Sequence, residues 1–207
     1  MVKQSRSALV MRSVLDAVSE RLMVGDEMLI RIPEICETTG VNYGSVYHHF
    51  GSREGVIDAA YSLIFKGIVD EDIAALHEVN ESATTFQEYV DAIRPVLESI
   101  SSGQDRAARR AIRSRIIAAA TARPSLRLLI GKNQDRLTNE LLRIASYGQE
   151  RGWIRRDVSS HSIAMLMQAV VLGRTIDDIS LIPISDDEWE QMLITLFMEM
   201  LNFQENE

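Results

Sequence analysis

The sequence predicts an all-α fold, and three observations carry that prediction. Apolar residues recur at i, i+3, i+4 and i+7 along most of the chain, the spacing of one helix face. The apolar content is aliphatic, Met and Ala with only 6% aromatic residues, whereas strand-rich folds draw on β-branched and aromatic side chains. Four prolines serve 207 residues, and most lie where helices begin or are separated. That length suits a small domain fused to a larger one, with a boundary near residue 55: a three-helix headpiece over 1–55, and over 56–207 a linking helix that leads into a larger helical domain.

The elements follow in order. Val10, Val14, Ala17, Val18 and Leu22 form the apolar stripe of a first helix that stops near Gly25. A short helix over 31–38 carries Pro33 in its first turn, where a missing N–H costs nothing, and offers Ile35 and Cys36 to a core. Gly40 supplies a tight turn, and Asn42 caps a third helix over 43–49 whose Val46 and Phe50 face inward. After Gly51, Ser52 caps a fourth helix with Val56, Ala60, Leu63, Ile64 and Ile68 on one stripe; this helix is expected to end near Asp70-Glu71-Asp72 and to link the two domains directly. Helices over 83–100, 104–121, 124–150, 159–181 and 186–203 complete the chain, separated by Ser101-Ser102-Gly103, Pro124, Gly152 and Pro183.

Charge and cysteine content narrow the function classes. The net charge of −8 runs against a nucleic-acid partner, but its distribution softens the objection: through Arg53 the chain has six basic and six acidic residues, and beyond it 24 acidic against 16 basic. Cys36 is the only cysteine, so no intrachain disulfide forms and a packed thiol is expected. The start of the chain lacks the pattern of a signal peptide, and the stretch 163–173 is too short to span a bilayer, which points to a cytoplasmic protein with no membrane partner. Asn80-Glu81-Ser82 matches a glycosylation acceptor that has no meaning without secretion. No P-loop, dinucleotide-binding glycine pattern, HExxH or nucleophile elbow occurs, so neither catalytic residues nor a cofactor is expected. His48 and His49 are adjacent, which sets their side chains about 100° apart on a helix, a poor arrangement for one metal. His48 is expected to face outward and His49 to pack within the headpiece.

Two short helices around a Gly-containing turn, the second opening with polar residues, match the helix-turn-helix plan for entering a DNA major groove. The run Ile35-Cys36-Glu37-Thr38-Thr39-Gly40-Val41-Asn42-Tyr43-Gly44-Ser45-Val46-Tyr47-His48-His49-Phe50-Gly51-Ser52-Arg53-Glu54 resembles the signature of the TetR/AcrR family of transcriptional regulators, closely over residues 10–70 and in length and helical pattern beyond. The resemblance implies a homodimeric repressor that double-stranded operator DNA binds and a small molecule releases. It places Tyr43, Gly44 and Ser45 at the end of the recognition helix that enters the groove, and Asn42, Tyr47, His48 and Arg53 at positions that touch phosphate; Arg31, at the start of the second helix, joins them. Two departures from the family pattern stand out. Arg31 and Pro33 replace a side-chain N-cap and a polar residue on the second helix, and Gly55 stands where the family favours Glu, so no capping box is expected on the fourth helix. The competing reading is a helical interaction protein that has lost specific DNA binding.

Beyond the headpiece, Trp189, Met192, Leu193, Leu196, Phe197, Met200 and Leu201 make a stripe on the last helix, and the helix before it is apolar almost all round. One monomer core covers one side, so a second copy is the natural cover for the other, through Leu166, Val170, Trp189, Leu193, Leu196, Phe197 and Met200. An apolar or amphipathic effector is expected among helices five to eight, with Phe86, Tyr89, Ile93, Met165 and Gln168 as candidate lining residues that serve equally well as core. Arg106, Arg109, Arg110 and Arg113 fall at i, i+3, i+4 and i+7 and form one basic face. That face is open to three readings: a solvated surface, partners for Asp70, Glu71 or Asp72 on the fourth helix, or a seat for an anionic effector.

Overall fold

The computed structural model describes residues 6–80, 83–101 and 104–201. Among them the order is α1 (Arg6–Val24), a 3-10 turn η1 (Glu27–Leu29), α2 (Ile32–Thr39), α3 (Tyr43–Phe50), α4 (Arg53–Asn80), α5 (Phe86–Ser101), α6 (Gln104–Ala122), α7 (Pro124–Glu150), α8 (Ser160–Asp178) and α9 (Asp186–Met200). An isolated antiparallel bridge between Ile154 and Leu201 is the one extended pairing among these residues. The all-α class expected from the periodicity is the class observed. The separator residues 102–103, the acceptor residues 81–82 and the expected last-helix end at 203 lie outside the described residues.

The chain forms two compact units. The first comprises Met1–Gly67 with Arg115–Asn133, and the second Ile68–Ser114 with Gln134–Glu207, so α4, α6 and α7 each contribute a part to both. The core of the first unit is built from Met11, Val14, Val18 and Leu22 of α1, Ile32, Ile35 and Cys36 of α2, Val46 of α3, Val56, Ile57, Ala60, Tyr61 and Phe65 of α4, Ile116 and Ala120 of α6, and Leu126 and Ile130 of α7. The expected stripes need two small corrections. Met11 takes the buried position on α1 while Val10 faces solvent, and on α4 Tyr61 and Phe65 are buried where Leu63 and Ile64 are only partly covered.

In the second unit α4 runs well past the acidic triplet that was expected to end it. The triplet does not break the helix because each carboxylate has a partner: Asp70 pairs with Arg136 at 2.9 Å, Glu71 with Arg109, and Asp72 with Arg113 at 2.8 Å. Tyr89 of α5 is buried and donates to the Ile144 carbonyl of α7 at 3.0 Å, and Tyr147 donates to the Ala83 carbonyl at 2.5 Å. A Cβ on Gly148 would lie 2.9 Å from both Ile154 and the Tyr89 hydroxyl, so glycine is what lets α7 approach these groups. α7 ends at Glu150, Gly152 (φ 76°) turns the chain just beyond it, and Arg156 donates to the Gln149 and Glu150 carbonyls left over at the helix terminus. Capping boxes start α5 and α9: Glu88 accepts from the Thr85 N–H while its own N–H donates to Thr85 Oγ1, and Ser185 and Glu188 repeat the exchange.

Candidate nucleic-acid interface

The recognition helix is short, and its start and anchor are both local. Asn42 sits in extended backbone (φ −65°, ψ 129°) and its side-chain oxygen accepts from the N–H groups of Gly44 (2.8 Å) and Ser45 (3.4 Å), satisfying donors that the first turn of α3 leaves open. A Cβ on Gly44 would come within 3.1 Å of that same oxygen. Gly40, in the left-handed region at φ 67°, closes α2 and turns the chain toward α3. Val46 is fully buried and pins one side of α3; Val41 is buried beside it.

The opposite side points outward. Asn42, Tyr43, Gly44, Ser45 and His48 are exposed, and Tyr47 is half-buried with its ring 4.5 Å from that of Tyr43. A hydrogen bond with Tyr43, together with partial burial, pushes the Tyr47 phenol up, so Tyr47 stays a neutral hydrogen-bonding group near neutral pH. Arg31 is exposed at the N-cap of α2 and makes no capping bond. One expectation changes: His49 is exposed, its ring set edge-on to Phe50 at 4.6 Å, instead of packed inside. Arg53 also has protein partners: Nε donates to the Ile30 carbonyl at 3.1 Å, Nη2 to the Glu27 carbonyl, and Nη1 lies 3.7 Å from Glu54.

The α3–α4 corner explains one departure noted in the sequence. Ser52 Oγ accepts from the Gly55 N–H at 3.0 Å, so half of a capping box survives. A Cβ at position 55 would stand 2.0 Å from the Phe50 carbonyl oxygen, so this corner admits glycine alone.

Sequence reading missed η1 and the arginines that hold it. Arg115 of α6 donates to the Leu22 carbonyl at 3.1 Å and to that of Gly25, covering acceptors at the end of α1. Arg123 pairs with Glu27 at 2.8 Å and with buried Asp58 at 3.2 Å, and lies over the Tyr61 ring; Ser125 donates to Asp58 at 2.7 Å. Burial, with Glu27 close by, pushes the Tyr61 phenol up to about 12. The α1–α2 connection, on which α2 and hence α3 depend, is thus tied by Arg53, Arg115 and Arg123 within one unit. The sequence signal was faint: Arg115 on α6 and Arg123 in the α6–α7 connection lie far along the chain from their partners, in segments without distinctive motif.

The remaining candidates fall in the second unit. Tyr89 and Ile93 are buried core, Phe86 is half-buried, Met165 is exposed, and Gln168 bonds to Gln134, to Thr138 at 3.2 Å and to the Ala164 carbonyl at 3.1 Å. A described cleft in this unit has a different lining: Ile68, Asp72, Arg106, Arg109, Arg110, Arg113, Val171 and Leu172. Of the interface candidates, Leu193 and Phe197 are buried in their own unit, which removes them from a surface available to a partner. Leu166, Val170, Trp189, Leu196 and Met200 are half-buried. Cys36 is buried, as expected, and burial pushes its thiol up. Among the described residues no helix is long and apolar enough to cross a membrane, and no group of acidic, His or Cys side chains has the geometry for a metal ion.

Comparison with known proteins agrees with this geometry. Residues 30–60 match the family model for "Bacterial regulatory proteins, tetR family", which covers α2, α3 and the start of α4. No curated protein sequence matches the chain. Among solved structures, a putative TetR-family transcriptional regulator from Mesorhizobium loti superposes with a TM-score of 0.71 at 15% identity, over 96% of this chain and 100% of that one. A putative transcriptional regulator from Saccharomonospora viridis, in complex with choline, gives 0.70 at 18% over 94% and 99%. A TetR transcriptional regulator from Chloroflexus aurantiacus gives 0.66 at 20% over 96% and 98%. Residues 30–60 thus resemble the DNA-binding segment of the tetR family, and the chain as a whole shares the fold of solved TetR-family transcriptional regulators.

Proposed function

We propose that the chain is a non-catalytic, cytoplasmic, homodimeric DNA-binding regulator, a repressor that leaves a palindromic operator when a small molecule binds. The observation that carries the reading is α3 itself: a capped helix pinned by Val46 on one side, with Tyr43, Ser45 and His48 exposed on the other. That is the arrangement a recognition helix needs, polar groups facing base edges and phosphates and an apolar anchor behind. Residues 1–55 then form the DNA-binding part. Tyr43, Gly44 and Ser45 face bases, and Arg31, Tyr47 and His48 face phosphate. Asn42 and Arg53 contribute by holding α3 and η1 in place, with Asn42 near enough the helix start to meet phosphate as well.

Residues 56–207 carry the effector and dimer surfaces. Dimerisation is favoured by the apolar groups left on α8, α9 and the segment between them: Ile176 is 76% exposed, Ile179 80%, Leu181 100% and Ile182 88%. Two-fold symmetry would set two recognition helices about 34–36 Å apart, one DNA turn. The choline complex of the similar Saccharomonospora viridis regulator supports a small-molecule site in a protein of this fold.

The test is fluorescence anisotropy with the duplex that flanks the protein's own coding region, against a random duplex, across a salt series. Specific binding is expected, weakened about tenfold or more by Tyr43→Ala, whose side chain supports nothing buried. Equal affinity for both duplexes and indifference to Tyr43→Ala would favour the interaction-protein reading.

A further inference from the structure

The basic face of α6 is neither simply solvated nor fully paired. Arg110 makes a bidentate pair with Asp178 at the end of α8, Nε to Oδ2 at 2.7 Å and Nη2 to Oδ1 at 2.6 Å. Arg113 holds Asp72 at 2.8 Å, and Arg109 holds Glu71. Arg106 is half-buried and has no hydrogen-bond or ion-pair partner among the described residues. Its surroundings resist its charge: burial strips water from the guanidinium, Arg109 repels it, and the two together pull its pKa down. The four guanidinium groups, with Asp72 among them, line an open surface cleft whose apolar side comes from Ile68 of α4 and Val171 and Leu172 of α8.

We infer that this cleft binds a small amphipathic monoanion, an aliphatic carboxylate, with its headgroup on Arg106 and its chain against Ile68, Val171 and Leu172. Four guanidinium groups face three carboxylates, so one positive charge is left to neutralise; a single carboxylate does that. It also accepts two parallel N–H bonds from the planar guanidinium fork, which an uncharged head of the same size cannot match. A dianion such as phosphate would need a second arginine to give up its internal partner. The apolar side favours a hydrocarbon chain lying along it over a wholly polar ligand.

The site has a regulatory consequence that rests on the function proposed above. Arg109 and Arg113, next to the ligand head, are the residues that hold Glu71 and Asp72 of α4. A carboxylate on Arg106 places a negative charge beside the Glu71 and Asp72 carboxylates and repels them, and α4 is the helix that continues from this unit into the headpiece unit. Effector occupancy therefore changes how α4 is held.

Calorimetry on the full-length protein with sodium octanoate as probe tests the site without DNA. Octanoate should bind, octanamide and inorganic phosphate at least tenfold more weakly, and Arg106→Gln should reduce octanoate affinity about 10–100-fold while melting at the wild-type temperature, because among the described residues Arg106 has no hydrogen bond or ion pair to lose. Arg106→Lys should recover part of the loss. Octanamide binding as tightly as octanoate, phosphate binding more tightly, or an Arg106→Gln variant that binds octanoate like wild type would overturn the proposal. In the anisotropy assay octanoate should lower DNA affinity for wild type and leave Arg106→Gln unaffected. If the wild-type protein binds no DNA, the regulatory reading fails while the calorimetric result stands by itself.

Discussion

Replacing Gly55 by Ala sets two effects of opposite sign against each other, and the structure says which wins. Helix propensity favours Ala by about 0.8–1.0 kcal/mol in a helix interior, and by less in a first turn. Against this, the new Cβ would lie 2.0 Å from the Phe50 carbonyl oxygen and 3.2 Å from its carbon. Contacts to a Cβ below 3.0 Å are essentially never seen, so the α3–α4 corner must open by about 1 Å. The clashing atom is backbone and cannot rotate aside: moving it moves the end of α3 and the Gly51 turn at φ 80°. Overpacking of this kind costs about 1–3 kcal/mol, which leaves a net destabilisation of about 1–2 kcal/mol after the propensity gain. For a chain of this length that is a fall in melting temperature of roughly 2–8 °C. Thermal melts followed by circular dichroism read the stability. Anisotropy at a temperature where the variant remains folded should show weaker DNA binding, since α3 is displaced. A Gly55→Ala protein that melts at or above the wild-type temperature would refute the reasoning, because propensity alone would then account for the site.

Other perturbations separate positioning from contact. Asn42→Ala removes the α3 cap and should cost about 1 kcal/mol, visible as faster hydrogen exchange of the α3 amides, while Asn42→Asp keeps the cap and restores protection. Arg123→Met leaves the buried Asp58 carboxylate with the Ser125 hydroxyl alone, at a cost of about 2–3 kcal/mol in urea unfolding that a second change, Asp58→Asn, should largely return. The Arg110 guanidinium holds the Asp178 carboxyl below the ordinary carboxylate range. A folded-state pKa depressed in this way contributes stability fully above the unfolded value near 4 and loses it as pH falls through the lower folded value. Urea midpoints should therefore drop more steeply below about pH 4 for wild type than for Asp178→Asn, and parallel curves would show that the pair contributes nothing.

How much of this was legible in the sequence depends on the range of the interaction that decides each feature. Local features read well: the caps at Asn42 and Ser52, the turns at Gly40 and Gly51, the buried Val46 and the outward face of α3 all follow from neighbours within a few residues. Boundaries slipped where a nearby signal was passed over. The first residue of α5 is Phe86, not 83, because the exchange between Thr85 and Glu88 fixes the cap, and that spacing was present in the sequence. α8 stops at Asp178 although Ile179, Leu181 and Ile182 continue the apolar run, because Asp177 turns the chain by accepting from the Ser180 and Ile184 N–H groups. Long-range pairing was legible only in part. The pairing of the basic face with Glu71 and Asp72 was among the readings the sequence left open, whereas the pairs of Arg136 with Asp70 and of Arg110 with Asp178, and the bonds of Arg53 to the Ile30 and Glu27 carbonyls, had no signal in spacing. The same long-range pairing singles out Arg106. Its three neighbours on one helix face each find a carboxylate, two on α4 where one reading of the sequence put them and a third, Asp178 of α8, that the spacing did not suggest, and only after those three are accounted for does a fourth guanidinium remain for an outside anion.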